Sequence, residues 1–134
     1  MHRHGFAFCI ALAVSGCASV PGQQCRSGEQ GSIYDVLYFG TDKPGGVVTA
    51  AEWADFLSQA VTPRFPDGLS AWNASGQWKS ADGSIVHEAS HVLSLVHPDD
   101  ATSETAIAEI MSTYKTQFQQ EAVMRVKSPA CVSF

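Results

Sequence analysis

Basic residues are scarce in this chain: eight lysines and arginines stand against thirteen acidic residues, and they form no cluster. That balance argues against nucleic acid as a partner and against binding an anionic membrane by charge. No apolar run reaches the about 20 residues that a membrane-crossing helix needs. Cysteine occurs four times with no C-x-x-C pair, which excludes the usual structural zinc sites. A G-x-S-x-G nucleophile elbow and a glycine-rich phosphate loop are also missing. No cofactor is expected.

What is present starts at the amino-terminal end. His2, Arg3 and His4 make a short cationic start, and Gly5 to Val14 form a run of apolar and small residues. Val14-Ser15-Gly16-Cys17 resembles the lipobox of bacterial lipoproteins, so residues 1–16 read as a signal peptide and Cys17 as the lipidated residue. Cleavage takes Arg3 away and leaves the remainder more acidic still. Ala18 lacks the aspartate associated with inner-membrane retention, which favours the outer membrane, facing the periplasm. Acyl chains, rather than charge, would supply the anchor. Of the remaining cysteines, Cys9 lies in the signal, leaving Cys25 and Cys131. An oxidising compartment permits a disulfide between them, closing a loop of roughly 100 residues, worth about 4 to 5 kcal/mol in the chain-entropy model. Two free thiols, or pairing with other chains, are the alternatives.

Residues 17–32, with Pro21, three glycines and small polar residues, read as a lipidated flexible tether, and 33–134 as a single domain. Ile33 to Phe39 is β-branched and aromatic and predicts a strand ending at Gly40. Tyr34 and Tyr38 fall on one side of it, opposite Ile33, Leu37 and Phe39. Their side is open to three uses: solvent, a dimer surface or a pocket wall. Thr41 to Gly46 reads as a loop. Thr49-Ala50-Ala51-Glu52 predicts a capping box, with Val48 packing on Trp53 as a staple. Trp53, Phe56, Leu57, Ala60 and Val61 form the helical stripe that follows, stopped by Pro63. Leu69 to Lys79, with a possible break at Asn73 to Gly76, and Ser84 to His97 predict a strand pair turning at Asp82-Gly83. Pro98-Asp99-Asp100 opens a second helix with the stripe Ile107, Ile110, Met111, Tyr114 and Phe118. Ala122 to Lys127 predicts a last short strand. The order β-α-β-β-α-β reads as a ferredoxin-like α+β sandwich, an antiparallel sheet with both helices on one face.

His87-Glu88-Ala89-Ser90-His91 matches H-E-x-x-H, and His97 sits where metzincins place a third ligand. On a helix, His87 and His91 would share a face and hold zinc, with Glu88 as the base. Ser94 replaces the required glycine, and Met111-Ser112-Thr113-Tyr114 is a misplaced Met-turn. On a strand the two histidines stand about 13 Å apart, too far for one ion. The strand reading is adopted; a small zinc-dependent hydrolase is the alternative.

Leu37-Tyr38-Phe39-Gly40, Thr62-Pro63-Arg64-Phe65-Pro66-Asp67-Gly68-Leu69 and Gly76-Gln77-Trp78 carry a resemblance to a known family. So do Val96-His97-Pro98-Asp99 and Cys131-Val132-Ser133-Phe134. Together they make the chain similar to the bacterial domain of unknown function 3574, which implies no assigned activity. Arg64, held between two prolines, can grip a carboxylate or phosphate, or lock its turn on Asp67 or Glu88. Gln77 and Trp78 can orient and stack on a ligand, or simply cover a core edge. Glu88 can act as a base or pair with a cation. Arg64, Gln77, Trp78 and Glu88 therefore outline a candidate ligand pocket. The expected role is an envelope-anchored small-ligand-binding or protein-interaction module. Fold analogy allows a homodimer through the sheets.

Overall fold

A computed structural model describes residues 24–134 of the chain. The expected signal peptide, the lipobox and Cys17 lie outside the described residues. The domain is α+β, with four long antiparallel strands and two helices.

Strand β1 (Gln30–Gly40) begins three residues before Ile33, because Gly31 and Ser32 already pair with Cys131 and Ala130 on the last strand. Ile33, Leu37 and Phe39 alternate onto one face and are buried there, as period-2 patterning requires. The Pro44-Gly45-Gly46 segment is more ordered than a loop. It turns a two-residue hairpin between β2 (Asp42–Lys43) and β3 (Gly46–Val47), with Gly45 at φ +86°.

Helix α1 (Ala50–Phe56) starts at the predicted capping box. Glu52 N donates to Thr49 Oγ1 at 3.2 Å, and Thr49 N donates to the Glu52 carboxylate at 2.9 Å. The chain then widens into a π-helical turn, Leu57–Val61, whose end is marked by Thr62 N donating to Leu57 O at 2.8 Å. The wider turn lets both Ala60 and Val61 face the core below Phe56. Pro63 then ends it.

Strand β4 (Ser70–Lys79) runs without the break suggested at Asn73 to Gly76, and turns at Asp82-Gly83 into β5 (Ile85–His97). Asp82 accepts from the backbone and hydroxyl of Ser84, and Gly83 takes φ +89°. Helix α2 (Ala101–Phe118) is capped by Asp100, which accepts from Ser103 N at 2.7 Å, and Gln119 closes it in the left-handed region. The last strand, β6 (Val123–Val132), is longer than the expected Ala122 to Lys127 and pairs with β1 along its whole length.

The strand order is β4-β5-β1-β6. Leu37, Phe39, Leu93, Leu95 and Val123 point to one face, where α1, the π turn and α2 cover them with Trp53, Phe56, Val61, Ile107, Ile110, Tyr114 and Phe118. Phe39 meets Trp53, Phe56 and Tyr114 at centroid distances of 5.2, 5.8 and 4.6 Å, so the core is largely an aromatic cluster. Cys25 and Cys131 form a disulfide, with Cα atoms 5.5 Å apart. It fastens the segment ahead of β1 to the end of β6.

Candidate functional site

The H-E-x-x-H residues lie on β5, an extended strand. His87, His91 and His97 share the helix-side face but occupy successive positions along it, with four residues spanning about 13 Å. Each has its own surroundings. His87 is exposed, opposite Gln77. His91 is buried and stacks parallel to Trp53 at 4.6 Å, with Nδ1 2.8 Å from Asn73 Oδ1. Its Nε2 is buried without a hydrogen-bond partner. Burial lowers the His91 pKa, so the ring is held neutral. His97 is buried between two acceptors, with Nε2 2.8 Å from Asp35 Oδ2 and Nδ1 2.8 Å from Pro98 O. The zincin geometry, which needs residues 84–94 in a helix, is absent from this strand.

Around His97 lies a charged network that local sequence gave no sign of. Asp35 is fully buried on β1, and Arg125 of β6 donates Nε to its Oδ1 at 2.8 Å and Nη2 to its Oδ2. Glu104, on the first turn of α2, accepts from Arg125 Nη1 at 2.8 Å and from Lys127 Nζ at 2.6 Å. Burial alone would raise the Asp35 pKa, but the bonds from Arg125 and His97 outweigh it and hold the carboxyl below its usual range. Arg125, then Lys127, hold Glu104 down at about 2. Every charge in the chain of contacts has an opposite partner. The network joins the sheet to α2.

The four pocket candidates are distributed over different parts of the fold. Arg64 donates Nε and Nη2 to Glu109 Oε2, both at 3.0 Å, and Nη1 to Ala60 O at 2.7 Å. It ties the π turn to α2, and its partner is neither Asp67 nor Glu88. Gln77 and Trp78 are neighbours on β4 and so point to opposite faces. Trp78 and Glu88 do meet: Trp78 Nε1 donates to Glu88 Oε2 at 3.3 Å, while Asp42 N donates to Oε1 at 2.9 Å. A Cβ at Gly40 would lie 2.6 Å from Glu88 Oε1, so glycine there makes room for this carboxylate. Two shallow clefts, of about 340 and 300 Å³, lie elsewhere: one between α2 and the start of β6, the other beside the disulfide.

A different surface stands out. Tyr34, Trp72, Trp78, Val96, Met124 and Val126 are between 38% and 56% exposed, and all occupy the sheet face opposite the helices. Val36 and Val92, at the middle of that face, are buried by these neighbours. Among the strand residues on that side, Glu88 alone is charged. The alternation Met124-Arg125-Val126-Lys127 carried the signal in sequence, but only strand pairing shows that the residues of four strands converge.

Fold and site together define a small α+β domain whose buried charges hold elements together and whose open sheet face is apolar. The chain belongs to the family described as Protein of unknown function (DUF3574), whose sequence model matches residues 35–134. No curated protein matches it. Among solved structures, the chain is similar to a phage SAM lyase in complex with S-methyl-5'-thioadenosine. The TM-score is 0.57 at 12% identity, over 87% of this chain and 97% of that one. It is similar also to a phage SAM lyase in the apo state, with a TM-score of 0.55 at 15% identity, over 84% and 97%. Identity that low carries the fold alone.

Proposed function

We propose that this protein is an exported, lipid-anchored interaction module of the bacterial cell envelope, built on a ferredoxin-like domain and working through its open sheet face. The strand order β4-β5-β1-β6, with both helices on one side, supports the fold reading. The lipobox-like Val14-Ser15-Gly16-Cys17 supports export, anchoring at Cys17 and an outer-membrane position facing the periplasm. The Cys25–Cys131 disulfide fits an oxidising compartment. The observation that carries the interaction reading is the apolar, nearly charge-free face bearing Trp72, Trp78, Tyr34 and Met124. Contiguous apolar surface of that kind marks contact sites, and its residue types are those enriched at interface centres. The polar candidates point the same way, because Arg64 and Glu88 spend their hydrogen bonds within the fold.

Oxidative footprinting of the full chain tests this. In intact envelopes, labelling of Trp72, Trp78 and Met124 should fall relative to the diluted purified chain, while Met111 on α2 serves as the reference. Equal labelling in both states would overturn the reading. Replacement Cys17→Ser should also release the chain from the membrane fraction.

A further inference from the structure

We infer that β4 pairs edge to edge with β4 of a second copy of this chain, antiparallel and centred on Ser75, joining two four-stranded sheets into one. The surface is the edge of the sheet, apart from its open face. Met124 and Val126, on the opposite edge strand, stay uncovered by the pairing.

The two edges of the sheet are built differently. The β6 edge carries Pro129, Arg125 and Lys127, and proline and charge are what keep an edge from pairing. The β4 edge is ten residues long and contains no proline. It keeps one register with β5 from Ser70 with Ser94 to Lys79 with Ile85, so no bulge bends it. Its single charge is Lys79, at the end. Every residue of β4 except Ala74 is exposed, so neither helix nor loop overhangs it. Among the described residues, nothing pairs with its outer side.

The backbone on that side is set for a ladder. Ser80 N donates to Ser84 O at 2.9 Å, which fixes the alternation: even-numbered residues of β4 face β5. The odd-numbered ones, Ala71, Asn73, Ser75, Gln77 and Lys79, turn N–H and C=O outward. A second antiparallel strand would engage them in about ten hydrogen bonds.

The side chains select what that second strand is. Trp72-Asn73-Ala74-Ser75-Gly76-Gln77-Trp78 reads nearly alike in both directions. Set antiparallel to itself about Ser75, it places Trp72 opposite the partner's Trp78 on one side of the sheet, and Asn73 opposite the partner's Gln77 on the other. Ala74 meets the partner's Gly76. Lys79 meets the partner's Ala71, so no like charges face each other. The tryptophan positions are non-hydrogen-bonded pairs of this ladder, where side chains come closest. Sliding the strands by two residues sets each tryptophan against serine, alanine or glycine. Sliding by one turns groups already bonded to β5 toward the partner. A second copy supplies every match at once. The paired strip is about 30 Å long and 10 Å across, ~600 Å² over two copies, the scale of a reversible contact. Trp72 and Trp78, 45% and 48% exposed in the single chain, add their two aromatic pairs to it.

Because the pair is reversible, the test traps it. Two full-length copies with different epitope tags are expressed together, and the cells are mildly oxidised. Ser75→Cys lies opposite itself with Cα atoms about 5.5 Å apart, a span that a disulfide bridges. The expected product has twice the mass of the chain and carries both tags. Gln77→Cys alone lies about 13 Å along the strands from its counterpart and should give none. It should give the product when the other copy bears Asn73→Cys. Adding Gln77→Pro to Ser75→Cys removes one outward N–H per copy and no bond to β5, and should cut the product about tenfold or more. Trp72→Ser, on an exposed side chain, should cut it about threefold or more through loss of both aromatic pairs. An unchanged far-ultraviolet melting curve reports that each variant is folded. Equal product from Ser75→Cys and from Gln77→Cys alone would mean random collision and overturn the pairing. Product undiminished by both Gln77→Pro and Trp72→Ser would overturn it too. No product from Ser75→Cys, or a product of another mass with one tag, would overturn a second copy as the occupant. The open-face reading is decided separately, by the footprint at Met124 on β6.

Discussion

The two faces of this one sheet invert the usual arrangement. The helix-side face, which is interior, carries Asp35, His91, His97 and Arg125 among its apolar residues. The outer face carries Trp72, Trp78, Tyr34 and Met124. Burial therefore does not follow polarity residue by residue. A buried charge is tolerated where its partners converge on it, as Arg125 and His97 do on Asp35. An exposed apolar group costs the single chain little, because it is no worse off than in the unfolded state. Alternation in a strand shows that two faces differ. Which face is interior depends on where the helices land.

Four substitutions and titrations would break or sharpen that contrast. The largest effect is expected from Asp35→Ala, which leaves Arg125 and His97 facing each other without their carboxylate. Urea unfolding should show a loss of about 3 to 5 kcal/mol. Next comes acid. Asp35 and Glu104 both titrate lower folded than unfolded, so the stability they contribute is complete above the unfolded carboxylate range. It is lost as pH falls from 4.5 toward about 2, where Glu104 is held. Unfolding midpoints measured across that window should fall, and Asp35→Ala should flatten the slope.

A smaller effect belongs to His91. Its folded pKa is depressed by burial, so its contribution is present above 6.5 and is lost as pH falls through the lower folded value. His91→Phe should remove that part of the pH dependence and keep the stack on Trp53, as read by thermal melts at pH 7 and pH 5. The smallest effect is expected on the open face. Val126→Lys should change the stability of the dilute chain by no more than about 0.5 kcal/mol. If it cost as much as a core substitution, the face would not be open in the single chain.

The legibility of the fold tracks the range of the interactions involved. Thr49 with Glu52, Asp100 with Ser103 and Asp82 with Ser84 act over two or three residues, and the elements they start were readable from sequence. The strand at the H-E-x-x-H segment was readable as well, because the Asp82-Gly83 turn and β-branched residues outweighed the helical spacing. Strand ends were less legible. Gly31, Pro129 and Ala130 depress any local strand signal, yet they pair as β1 and β6. Pro129 is accommodated because β6 is the sheet edge. The Asp35–Arg125 contact joins residues 90 positions apart, and no local pattern encodes such a meeting. Arg64 is anchored, but by Glu109, 45 residues away on α2, and not by Asp67 or Glu88, its nearer candidates in the chain.

The Cys25–Cys131 bond also determines how the domain would bear a load. A pull on the chain ahead of Cys25 reaches a branch point before it reaches β1. From there it passes through the peptide chain into β1 and through sulfur into the end of β6. Those two strands are hydrogen-bonded side by side from Gln30 with Val132 to Phe39 with Val123. Tension is thus divided between neighbouring strands and cannot peel β1 away from the edge strand one hydrogen bond at a time.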